Sequence, residues 1–192
     1  MDRTLNALNA EDRAHVESIL ARYGLQGDTH MRGNLVVPPN VVFHLQHGSP
    51  AGGTHLLLVT NDLDQVKRWI GTPDAAFESE PFELTPPSAD DYTPKGMDEL
   101  SPAQLDTLAD AVRHYVFGDS RNVRAFKEGI EAAFAPFETK VYIYTTLEIA
   151  GTLKFTDPSA LILANTIMFK PGGVLQSTGN LSIQATYIVT QA

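Results

Sequence analysis

The chain contains no cysteine, which excludes disulfides, thiolate-bound zinc and cysteine nucleophiles. It also lacks any unbroken apolar run near the ~18 residues that a membrane-spanning helix needs, so no span is expected. Basic charge is scarce. Lys and Arg number 14 against 23 Asp and Glu, a net charge of −9. Nucleic-acid binding draws on a basic stripe that releases phosphate counterions, and no such stripe is present. The same deficit disfavours an anionic membrane surface. The opening MDRTLNALNAEDRAH has no apolar h-region, so no secretory signal is expected. A cytoplasmic location is the default expectation, with signal-less export left open. The glycine runs GSPAGG and KPGG fit neither a P-loop nor a dinucleotide fingerprint, and no cofactor is implied.

What is present is a chain of 192 residues, 43% hydrophobic, enough for a sizeable core in one domain, or in one domain with an appended lobe. Residues 9–23 predict a helix. Asn9 is its cap, Asp12 its capping-box acid, and Gly24 its stop, with Val16, Ile19, Leu20 and Tyr23 on one face. GNLVVPPNVVFHLQ and GGTHLLLVT read as strands, and Asn61 or Asp62 then caps a short helix, LDQVKRWI. These elements form an N-terminal lobe, 1–70. Residues 71–100 form a proline-interrupted connector with eight acids and one base, Lys95.

The segment 101–192 then predicts a helical hairpin followed by strands. Ser101, Pro102 and Gln104 supply a cap, a first-turn proline and a capping box. Leu105, Leu108, Ala109, Val112, Tyr115 and Val116 make the buried stripe of this helix. Ser120 opens the second helix, with the stripe Val123, Phe126, Ile130 and Phe134.

From Val141 onward the sequence shows self-similarity at an offset of 21 residues. Ile162 and Ala164 match Ile183 and Ala185. Ile167 and Met168 match Ile188 and Val189, and also Thr146 and Leu147. Gly151 matches Gly172, Leu153 matches Val174, and a weaker echo sets Leu35 and Val37 against Leu56 and Leu58. These residues resemble the rungs of right-handed parallel β-helix (β-solenoid) proteins over the last ~50 residues. The helix and strand signals together give an α+β fold, and the resemblance implies that the helical hairpin packs on a short C-terminal β-solenoid. An antiparallel β-sandwich is the alternative.

Candidate sites are few. His44, His47 and His55 flank a glycine-rich turn and are where a metal would bind, if one does. Ordinary loop histidines look the same in sequence. Asp110 and His114 stand four apart on a helix, as an oriented base would, but no nucleophile elbow accompanies them. Glu78, Glu80, Glu83, Asp90 and Asp91 lack the spacing of a calcium loop or a glycosidase pair. Trp69, Tyr92, Tyr142, Tyr144 and Tyr187 are candidate aromatics for a binding surface. Tyr142 and Tyr144 share one side of a strand, which suggests an interface if that side faces solvent.

TYIVTQA is an apolar strand without a charged or proline block, so Tyr187 and Ile188 are expected at an edge that another chain covers, or the natural protein is expected to continue past Ala192. The reading is a non-enzymatic binding or self-assembly module. Its partner is another copy, a larger solenoid protein or a glycan. A polysaccharide-active lyase or hydrolase is the alternative, although residues 141–192 hold only Glu148, Asp157, Lys154 and Lys170 for such chemistry. A toxin or host-targeting component is a further alternative.

Overall fold

The computed structural model describes residues 5–27, 31, 33–45, 56–77 and 95–191. The fold is α+β with parallel sheets. The chain groups into two compact units that cut across the three segments expected from sequence. One unit joins Met1–Leu58 to Thr139–Ala192, and the other is Val59–Glu138.

In the first unit, α1 (Ala10–Arg22) begins where Asn9 accepts a hydrogen bond from the Asp12 amide at 2.9 Å, and Gly24 follows it with φ +69°. The expected cap therefore forms. Val16, Ile19, Leu20 and Tyr23 are buried as the helical spacing requires.

The strands are β1 (Asn34–Val37), β2 (Val42–Leu45), β3 (Leu56–Thr60), β4 (Phe137–Ile149), β5 (Thr152–Phe155), β6 (Ser159–Phe169), β7 (Val174–Ser177) and β8 (Asn180–Thr190). The first sheet has the order β1-β4-β6-β8, with β3 joined to β4, and the second has the order β2-β5-β7. The β1-β4, β4-β6, β6-β8, β2-β5 and β5-β7 ladders are all parallel, which overturns the antiparallel sandwich. From β4 onward the chain passes alternately through the two sheets, each time adding the next strand.

Inward residues line up in columns. Leu35, Leu147, Ile167 and Ile188 form one column, and Tyr142, Ile162 and Ile183 form another. Both sheets feed one core, which includes Val37, Leu147 and Ile162 from the first and Leu45, Leu153 and Phe155 from the second. Fully burying each such side chain is worth about 1.5–3 kcal/mol. Between Ala164 and Ile167 the inward set changes parity, as it does between Tyr144 and Leu147, and the ladder passes over Thr145 and Asn165 at that step while keeping its offset. Residues 160–165 are buried on both faces, because α1 covers the outer one with Val16, Ile19 and Leu20 against Ile143 and Leu163.

The register corrects parts of the sequence comparison. Ile162 does lie beside Ile183, and Ala164 beside Ala185. However, Leu147, not Thr146, lies beside Ile167, and Leu153 lies beside Leu175, not Val174. The echo between Leu35 and Leu56 has no structural counterpart, because β1 pairs with β4. At the corner after β4, Gly151 is required by close approach: a Cβ there would strike the carbonyl oxygens of Pro38 and Val41.

The second unit contains α2 (Leu63–Ile70), α3 (Pro102–Phe117) and α4 (Lys127–Phe134). Asp62 caps α2, and the Ser101–Gln104 capping box forms in full. The buried stripe of α3 is Leu108, Ala111, Tyr115 and Val116. Ala109, expected inside, is exposed. Ser120 opens a 3-10 turn through Phe126 rather than the α-helix itself, and Asp119 is the cap, accepting from the Arg121 amide. Lys67 closes the end of α3. Its Nζ donates to the Tyr115 and Gly118 carbonyls at 2.8 and 2.7 Å and pairs with Asp74 at 3.0 Å.

Candidate functional site

The expected site residues scatter. Tyr142 and Tyr144 do share one side of β4, but that side faces the core. They are 1% and 4% exposed, so they form no aromatic surface. Tyr142 meets Phe155 edge-on with ring centroids 5.5 Å apart, and its hydroxyl donates to Asp157 at 2.7 Å. Burial, then the hydrogen bond to Asp157, pushes its phenol well above the usual range. Asp157 also pairs with Lys140, so the polar end of this buried ring is satisfied.

His44 is exposed on β2, whereas His47 and His55 lie outside the described residues. Among the described residues no group of three His, Asp or Glu side chains converges as metal ligands would. Glu78, Glu80, Glu83, Asp90, Asp91 and Tyr92 also lie outside them. Asp110 pairs with Arg113 at 3.5 Å, and Trp69 is buried in α2. Among the described residues no helix is long and apolar enough to cross a membrane.

Tyr187 and Ile188 come together on β8. This strand is at the end of the first sheet, and among the described residues nothing pairs with its far edge. On its inner face Leu181, Ile183 and Ala185 are packed against the core, but Ile188 is 62% exposed. The cause is position. In the same column Leu147 and Ile167 are 0% and 1% exposed, each flanked on both sides, while Ile188 is flanked on one. Ile188 thus stands in an inward column yet is left uncovered at its end. No family, no curated protein and no solved structure matches the chain.

The outer face of β8 carries Tyr187 and Val189, both exposed, and the Tyr187 hydroxyl donates to Asp12 of α1 at 2.8 Å. The strand contains no Asp, Glu, Lys, Arg or Pro. Among the described residues the side-chain oxygens of Asn165 and Thr186, both at the change of parity, have no hydrogen-bond partner. Such an edge offers a row of backbone donors and acceptors beside apolar side chains, and it lacks the charges and prolines that usually block strand addition. Sequence reasoning named Tyr187 and Ile188. It did not place Ser182 and Gln184 on the same edge strand, though their alternation with Leu181, Ile183 and Ala185 carries that signal.

Proposed function

We propose that this chain is a non-enzymatic binding or self-assembly module, a short parallel β-solenoid that is closed at one end and takes up a further strand at the other. The carrying observation is the contrast between its ends. Inward Val37 of β1 and Leu45 of β2 are 0% and 1% exposed, while Ile188 of β8 is 62% exposed. The alternating passes, parallel ladders and stacked apolar columns support the solenoid reading. The uncharged, proline-free β8 supports the strand-uptake reading.

The test uses a fluorescent peptide with the sequence of residues 180–190, titrated with dilute protein and followed by anisotropy. Saturable binding is expected. It should be lost in Ile188→Lys, whose far-UV helical signal should be unchanged. Absence of binding to the parent protein refutes the reading.

A further inference from the structure

We propose that the strand taken up by β8 is β8 of a second copy, antiparallel, about a twofold axis between Ala185 and Thr186. The inference rests on the reading of β8 as an open edge, and it adds the identity and register of the partner.

The facing of the β8 side chains selects this register. Leu181, Ile183 and Ala185 face the core. Ile188 and Thr190 continue the inward columns of Ile167 and Phe169. Ser182, Gln184, Tyr187 and Val189 take the other face. The change of parity at Thr186 makes this pattern read the same from either direction. A twofold through that point sets Ile183 against Ile188 and Leu181 against Thr190, all inward. It sets Gln184 against Tyr187 and Ser182 against Val189, all outward. A slip of one residue would turn inward side chains against outward ones.

Charge favours the same contact. Most of the net charge of −9 lies in residues 71–100, with eight acids and one base, and residues 180–191 hold no charged side chain at all. A twofold pairing through this strand therefore places no like charges opposite one another.

Closure also favours a twofold contact. Stacking β8 on the β1 and β2 end of another copy would meet inward Val37 of β1 and Leu45 of β2, which are already covered. A head-to-tail contact would also propagate into fibres, whereas a twofold contact stops at the dimer.

The absence of cysteine makes the test clean. In Ser182→Cys/Val189→Cys, each introduced thiol stands opposite its complement in the second copy, at a separation that a disulfide can span. Mild oxidation should give a covalent dimer. Each single variant should stay uncrosslinked, since like positions lie seven residues apart along the pair, about 24 Å at ~3.4 Å per residue.

Ile188→Lys should weaken dimerisation about tenfold or more in sedimentation, because Ile183 of the second copy would face a charge. Crosslinking of Val189→Cys alone would mean parallel pairing and overturns the proposal. So would a strictly monomeric protein at high concentration. If such a monomer still binds the 180–190 peptide, the second copy is refuted while the open edge stands. If the peptide also fails, both fall.

Discussion

Replacing each member of the column Leu147, Ile167 and Ile188 with alanine should give unequal costs along one stack. Ile167 is 1% exposed and lies between the other two, so its truncation leaves a cavity that cannot collapse from either side. Its loss should cost about 3 kcal/mol, within the range of 2–5 measured for buried aliphatics. Leu147, 0% exposed between Leu35 and Ile167, should cost the same. Ile188 is 62% exposed, so only about a third of its transfer energy is realised, and the cost shrinks to about 1 kcal/mol or less. The assay must read the right unit. Trp69, the sole tryptophan, sits in Val59–Glu138, so its fluorescence follows that unit instead. Amide exchange of peptides from residues 159–191 reports the strands directly. Equal costs for Ile188 and Ile167 in dilute protein would refute the open end. If β8 pairs with a second copy, the Ile188→Ala cost should rise with protein concentration while the Ile167→Ala cost, intrinsic to the core, should not.

Tyr142→Phe should destabilise the strand unit by about 1–3 kcal/mol, since Asp157, 5% exposed, loses one of two partners. The same variant should bind the 180–190 peptide as the parent does, and a cost below ~0.5 kcal/mol by amide exchange would contradict the buried role. The helical unit should weaken in acid. Hydrogen bonds from Lys127 hold Asp62 and Asp64 below the usual carboxylate range, Asp64 with further help from Tyr115. Depressed carboxylates stabilise above their unfolded pKa of about 4 and lose that contribution as pH falls through the lowered values. Trp69 fluorescence against pH should therefore show loss of stability below about pH 4, and Lys127→Met should flatten the slope; an unchanged slope rejects this account. Gly151→Ala should cost more than about 2 kcal/mol in thermal unfolding, because the clash is with backbone oxygens that no rotamer can move. A neutral effect would mean that the corner is looser than the Pro38 and Val41 contacts imply.

Helix starts and stops were readable because their signals are local. Asn9, Asp62 and Ser101 each bond an amide two or three residues away, so the residues that decide the cap sit inside one window of sequence. The strand stack is different, and its partial legibility has a geometric cause. Tyr142 lies beside Ile162, a step of 20, Leu153 lies beside Leu175, a step of 22, and Ile162 lies beside Ile183, a step of 21. The corner between β4 and β5 spans 150–151, and that between β6 and β7 spans 170–173, two residues longer. The corner between β5 and β6 spans 156–158, and that between β7 and β8 spans 178–179, one shorter. A comparison at one fixed offset therefore finds the β6-β8 register and misses the other two by one residue. That slip matters because a single residue exchanges the two faces of a strand.

The facing of Tyr142 and Tyr144 was hidden for a related reason. Residues 141–145 of β4 are buried on both faces, so apolar alternation there cannot say which face meets the second sheet. The change of parity beyond Tyr144 is equally silent in sequence, since Thr145 and Thr146 read as ordinary strand residues. Yet that same step, repeated at Asn165 and Thr186, reverses the facing of β8 halfway along its length. It leaves Ile188 inward in direction but uncovered in fact. The residue that most distinguishes the two ends of this fold is thus placed by corner lengths and a ladder defect, both of which only the folded register reveals.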